Sequence, residues 1–437
     1  MSPVRHRSRA ELPSSPIEFA YPLTVPDGTV FGAVILREVP HSFALHVFQA
    51  LRMTFAWAAG PEASGIEFDT MNLTEWELEV LQTEGIDEAL WAPIAVIAGE
   101  LTRPAMLEPE RLTHACLAVM DWALGAEAHG TALLFAEAAA VVWPSNARLA
   151  WICGKAHRER QNFARAETWL KRAKRVAVWT GDWEMQAQAI NSLGNLKVHL
   201  GDFASGRELL VSAARLAKRR RLRERQAKVL HDLLAVSIYD GRLDEAEAYA
   251  GKAFSAYGSE HPDVINLAFD VAHLWMQRGQ FARALAVLKA LYPRVADDDR
   301  QLRVIASAAR AAGAVGETDT FQHAWTDAWQ LINGGTVSHL RAAAPLELGL
   351  GALSLGLWEH AQVALASAHA AAQELREGDT LARAESSLDH LGRRQAADRY
   401  ARAGQTYHPR PGDLATDLVQ SLNAYPAGSR SAGHHRD

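Results

Sequence analysis

The 437-residue chain holds two cysteines, Cys116 and Cys153, too few for a disulfide framework and too few alone for a zinc site. Both fall in apolar helical stretches, where a thiol packs as a small buried hydrophobe. No run approaches the roughly 18 consecutive apolar residues that a membrane span requires. The opening Met1-Ser-Pro-Val-Arg-His-Arg-Ser-Arg is charged and has no apolar stretch behind it, so no secretory signal is read there. Catalytic signatures are missing as well: there is no nucleophile elbow, phosphate loop, dinucleotide fingerprint or zinc-protease pair. His114, His129 and His157 are scattered on successive helical stretches without a carboxylate partner in sequence. Gly433-His-His-Arg offers two histidines, a weak metal site at best. These absences lead to the expectation of a cytoplasmic chain that is not an enzyme, has no cofactor or metal and meets no membrane.

What is present is the material of a folded protein. Apolar residues make up 49% and charged residues 22%, with 13 Trp and 13 Phe to anchor a core. The net charge of −6 hides an asymmetry. From Lys155 to Lys228 there are 18 Lys/Arg against 7 Asp/Glu, a balance of +11 that leaves −17 for the rest. A basic segment in an acidic body has a directional field, which bears on partners and not on fold.

Residues 1–16 are polar, with Pro3, Pro13 and Pro16, and read as disordered. Pro26-Asp27-Gly28 is a turn signal, and the stretch from Thr29 to Leu36 reads as a short strand or an extended arm. After Pro40 the pattern is helical. From His41 to Ala59 apolar residues cover too many faces for a surface helix, so that helix is largely buried. Thr74 with Glu77 forms a capping-box candidate, and helices are expected near 74–84, 86–100, 109–124 and 127–143.

Beyond residue 147 a repeat is legible. A small residue, a turn residue seven places on and a bulky residue two places further recur six times. They are Gly154, Gln161, Phe163; Gly194, Gly201, Phe203; Leu234, Gly241, Leu243; Ala272, Gly279, Phe281; Ala309, Gly316, Thr318; and Gly349, Gly356, Trp358. Apolar positions follow at 3, 7 and 10 beyond the bulky one, which keeps a stripe on one side of a second helix. The turn residue sits where a left-handed C-terminal cap is favoured. Six matches in phase resemble the tetratricopeptide repeat, with a period of 37–40 residues in place of about 34.

The resemblance implies an all-α fold. It would be an α-solenoid of stacked antiparallel helix pairs wound as a right-handed superhelix. Residues 17–110 then form an N-terminal, mostly helical capping region, and 111–400 the solenoid of six or seven pairs with a closing helix near 379–396. Residues 401–437 lose periodicity and read as a flexible tail. In such repeats the first helices line the concave face. Carried over by position, that face holds Arg148, Trp151, Lys155 and Arg158; Gln188, Asn191, Ser192 and Asn195; Lys228, His231 and Asp232; Asn266, Phe269, Asp270 and His273; and Arg303 and Arg310. Asn191 and Asn195 share a face at i, i+4 and resemble the asparagine grip on a peptide backbone.

The basic run Lys218, Arg219, Arg220, Arg221, Arg223, Arg225 has two readings, a solvated helix end and a dock for an acidic protein. Nucleic acid is disfavoured because the run lacks aromatic residues for base stacking. The functional expectation is a scaffold or adaptor that binds a peptide or partner helix in its groove. A peptide-sensing regulator is the alternative, and an enzyme site within 17–110 the third reading.

Overall fold

A computed structural model describes residues 32–60, 70–334, 340–393 and 406–426. Among them are 20 α-helices, one 3-10 turn and no strand. Residues 1–31 and 427–437 lie outside the described residues, and with them the readings of disorder, of the turn at Pro26 and of the two tail histidines. The chain divides into two compact units, Met1–Leu222 and Arg223–Asp437.

The six repeats are six helix hairpins. In the first unit α7 (Ala147–Glu159) pairs with α8 (Phe163–Thr180), and α9 (Trp183–His199) with α10 (Phe203–Arg220). In the second unit α11 (Arg223–Tyr239) pairs with α12 (Leu243–Tyr257), and α13 (Val264–Gln277) with α14 (Phe281–Leu291). They are followed by α15 (Asp298–Val315) with α16 (Thr318–Asn333) and α17 (Ala343–Leu355) with α18 (Trp358–Leu375). Each bulky repeat position is the first residue of a second helix. Every turn residue has a positive φ: Gln161 59°, Gly201 82°, Gly241 70°, Gly279 72°, Gly316 86° and Gly356 73°. The next amide reaches back five residues each time, as in Asn162 N to His157 O at 2.9 Å and Gln280 N to Trp275 O at 2.7 Å. That is the Schellman bond, which satisfies a carbonyl the helix end would otherwise orphan. The fold is therefore the expected tetratricopeptide-type stack of helix pairs.

The hairpins close by matching volumes. A Cβ on Gly154 would meet Leu170 Cγ at 2.7 Å, one on Gly194 would meet Leu210 Cγ at 2.8 Å, and one on Gly349 would meet Leu365 Cγ at 2.6 Å. The third hairpin carries the sizes in reverse, with Leu234 on the first helix and Ala250 on the second, both fully buried. Leu234 is thus a compensated substitution within the repeat and not a break in it.

Ahead of the repeats in the first unit come α1 (Ile35–Glu38), α2 (Ala44–Ala59), α3 (Thr70–Gln82), α4 (Glu88–Leu101), α5 (Pro109–Gly125) and α6 (His129–Val142). One apolar cluster runs from Ile35 through Phe43, Phe55, Ile94 and Phe135 to Leu196, so these helices share the core of the first two repeats. Residues 35–38 are helical, which corrects the strand reading for that part; 29–31 lie outside the described residues. Glu38 explains the difference, because its carboxylate accepts from Gly130 N at 3.1 Å and Thr131 N at 2.6 Å, capping α6 from outside. The capping-box reading is corrected too. α3 begins at Thr70, so Thr74 is within the helix, and Glu77 instead accepts from Thr102 Oγ1 at 2.9 Å.

In the second unit α15 and α17 cross backbone to backbone: a Cβ on Gly313 would lie 2.3 Å from Gly351 O. The closing helix is α19 (Gly378–Gly392). The tail expectation fails at α20 (Leu414–Ala424), a helix packed chiefly on α14 with Ala415, Leu418 and Leu422 fully buried. Among the described residues no helix is long and apolar enough to cross a membrane.

Candidate binding faces on the first helices

In the first unit the expected groove residues come from α7 and α9. Trp151 is 5% exposed, and its Nε1 donates to Ser192 Oγ at 2.8 Å, tying the two first helices together. Lys155 Nζ stands 5.6 Å from the centre of the Trp151 ring. Arg148 is exposed, and Lys155, Arg158 and Asn195 are half-buried. Gln188 and Asn191 are buried, each 7% exposed, so the asparagine pair presents only Asn195 to solvent. The i, i+4 spacing is kept, but the face it defines is turned into the stack at residue 191.

A buried charge in this unit escaped the sequence. Glu137 on α6 is 4% exposed; its Oε1 lies 2.9 Å from His157 Nε2 and accepts from Trp169 Nε1 at 3.0 Å. Arg165 stands 3.8 Å away. The carboxylate partner that His157 lacks in sequence thus comes from another helix. Nearby Cys153 is wholly buried, and burial first, then the Glu137 charge, push its thiol well above the usual range. Burial likewise pushes Cys116 up to about 12. Thiols held protonated are inert as nucleophiles.

The basic run is divided by its surroundings. Lys218, Arg219 and Arg220 form the exposed last turn of α10, where they complement the helix dipole, and Arg221 is its left-handed cap at φ 58°. The Arg220 guanidinium lies 3.6 Å from the centre of the Trp183 ring, an aromatic partner that the run itself does not contain. In the second unit Arg223 is exposed but Arg225 is only 8% exposed, so Arg225 offers little to a partner.

The second unit places its expected residues on α11, α13 and α15. His231 Nε2 is 2.8 Å from Asp270 Oδ2, and Lys228 pairs with Glu224 at 3.2 Å. Tyr257 sits edge-on to His231 with ring centres 6.2 Å apart, and burial pushes its phenol up. Asp232 is half-buried, and the exposed His273 lies 3.0 Å from Gln277. Further along, Glu347 on α17 takes Arg310 at 3.0 Å and Arg383 at 3.0 Å. Between α13 and α15 is a cleft of about 200 Å³ lined by Asn266, Phe269, Asp270, Arg300 and Arg303, with Leu291 and Val295 at its apolar side. Four of those residues are ones the repeat positions name; Arg300 is new. Among the described residues Arg300 and Arg303 have no ion-pair partner, and no His/Cys/Asp/Glu group could hold a metal.

No family model matches the chain, and no curated protein matches its sequence. Similar solved structures include the apo form of RapI, at 10% identity over 79% of this chain and 98% of its own, with a TM-score of 0.47. A Rap protein complexed with Competence and Sporulation Factor is 12% identical over 81% of this chain and 99% of its own, TM-score 0.39. Aspartyl phosphate phosphatase F from Bacillus subtilis is 8% identical over 83% and 97%, TM-score 0.40. Scores that low say nothing of ligand or activity.

Proposed function

We propose that the chain is a non-catalytic cytoplasmic adaptor that holds an extended peptide or partner helix against its first helices, and that an acidic side chain of that ligand lodges beside Arg300 and Arg303. The observation that carries the reading is the cleft between α13 and α15. It joins an apolar wall, Phe269 with Leu291 and Val295, to two cations at i, i+3 on one helix face. A guanidinium fork matches a carboxylate bidentately, and Asn266 supplies donors and an acceptor for a peptide backbone. Asp270 is engaged by His231, so it opposes the two arginines less than a free carboxylate would. The two free buried thiols suit a reducing compartment.

The test is binding of an arrayed library of ten-residue peptides, scored for enrichment of Asp and Glu. The expected result is acidic peptides that bind the wild-type chain and lose at least about tenfold in affinity on Arg300→Glu with Arg303→Glu, an electrostatic and hydrogen-bond effect. Affinity unmoved by that charge reversal, in a variant of unchanged helicity, would overturn the assignment.

A further inference from the structure

In a stacked repeat each helix pair touches its neighbours. α20 departs from that rule. It follows α19 in sequence yet packs on α14 and, to a lesser degree, α13. Its contact has two halves. One is apolar: Ala415, Leu418 and Leu422, at intervals of three and four, are fully buried. The other is an acid gripped by a prepared arginine. Arg283 donates to Asp413 Oδ1 at 2.7 Å, while Tyr407 Oη donates to Asp413 Oδ2 at 2.8 Å.

The receptor half of this grip does not depend on α20. The Arg283 guanidinium lies 4.2 Å from the centre of the buried Trp275 ring, and it donates to Glu247 Oε1 at 3.1 Å and Gln280 Oε1 at 2.8 Å. Trp275 Nε1 donates to the same Glu247 oxygen at 3.1 Å. Arg283 is therefore aimed before any acid arrives. Asp413, for its part, stands at the N-cap of α20 but makes no cap hydrogen bond; one of its oxygens takes Arg283 and the other takes Tyr407 of its own segment. At the far end Ser421 Oγ donates to Ser259 O. Eleven residues are fewer than the roughly 12–15 a helix needs to persist alone in water, so α20 is a helix made by its dock.

We infer that the α13–α14 face is a helix-docking site and that α20 is its resident, exchangeable occupant. The partner it fits is an amphipathic helix of another protein with an acidic N-cap residue and apolar residues two, five and nine places beyond it. That pattern is Asp413, Ala415, Leu418 and Leu422. Such a helix binds by displacing α20. The site is separate from the Arg300–Arg303 cleft and stands or falls independently of it.

The probe is a fluorescein-labelled peptide of residues 406–426, titrated into the full chain. With wild type the tethered copy competes at an effective concentration of order millimolar, so binding is weak. With Leu418→Asp, which unseats the resident helix, affinity rises at least about tenfold. Adding Arg283→Glu removes that gain, and a peptide carrying Asp413→Arg restores it, whereas Arg300→Glu with Arg303→Glu leaves it unchanged. No gain with Leu418→Asp in a chain of unchanged helicity would make α20 a fixed part of the fold and overturn the inference. A concentration-dependent dimer of the wild type that Leu418→Asp abolishes would overturn the partner in favour of a second copy. Should Leu418→Asp fail to fold, hydrogen exchange of the wild type decides. α20 amides exchanging at least about a hundredfold faster than those of α14 support an exchangeable helix, and equal protection overturns it.

Discussion

Leu170 fills the space that a side chain on Gly154 would need, since a Cβ built there would meet both Leu170 Cγ and Cδ2 at 2.7 Å. Gly154→Ala is therefore expected to destabilise the first unit by about 1–3 kcal/mol, the usual cost of overpacking. The reversed hairpin makes the sharper test. Leu234→Gly and Ala250→Leu should each destabilise the second unit, one by a cavity and one by a clash. Together they should recover at least about 1 kcal/mol relative to the sum of the two losses. A strictly additive double variant, measured by urea unfolding, would mean that the two side chains do not share one space.

The repeat was legible because it rests on local rules. Turn residues at positive φ and second helices starting at Phe163, Phe203, Leu243, Phe281, Thr318 and Trp358 both follow from offsets within one hairpin. Contacts between hairpins were not legible. Glu137 finds His157 and Trp169 across two helix boundaries, and Asn191 faces the stack although its spacing to Asn195 is that of a surface pair. α20 was missed for another reason. Pro409, Pro411 and Gly412 mark the approach as loop, and one short apolar stripe beyond them carries too few turns to stand out. Asp413 ahead of Leu414, Leu418 and Leu422 was the signal available, a cap residue before an i, i+4, i+8 run.

The Glu137 carboxylate is a buried charge whose partners come from two helices. Removing one member of such a network leaves the others without a partner, at a cost of about 3–5 kcal/mol. Glu137→Ala is expected to lose stability in that range, and Glu137→Gln, which keeps one acceptor for Trp169 Nε1 or His157, distinctly less. Urea unfolding followed by tryptophan emission measures both. A loss under about 1 kcal/mol for Glu137→Ala would contradict a buried, partnered carboxylate.

Cys116 gives stability a pH dependence of defined sign. Burial raises its thiol to about 12 in the folded chain, whereas an unfolded thiol titrates near 8.5. The folded state keeps the proton that the unfolded state releases. The thiol's contribution is thus fully present below about pH 8.5 and lost as pH climbs toward 12, roughly tenfold in the folding equilibrium per unit. Cys153 acts with the same sign. Between pH 8.5 and 9.5, below the ordinary titration of tyrosine near 10, Cys116→Ala should flatten the fall in stability. A slope unchanged by the substitution would place the thiol in contact with water.

If the basic end of α10 is a dock, the Arg220–Trp183 contact bears on which polyanion it takes. A nucleobase binds such a surface by stacking on an aromatic face, but one face of Trp183 is already covered by the guanidinium at 3.6 Å. What remains is a row of exposed cations, Lys218 to Arg221, beside an indole 36% exposed. Carboxylates suit that row, because Arg220 is held in place and its outer edge is free to donate. Poly-glutamate should bind the wild type and lose at least about tenfold on Arg219→Glu, Arg220→Glu and Arg221→Glu together, with the loss shrinking as salt screens it. Trp183→Ala should cost only about twofold to fivefold, the worth of an exposed cation–π contact. Oligo-dT of equal charge is the counter-probe. Tighter binding of oligo-dT with quenching of tryptophan emission would mean that Arg220 yields the ring to a base, and the acidic-protein reading of this surface would give way to nucleic acid.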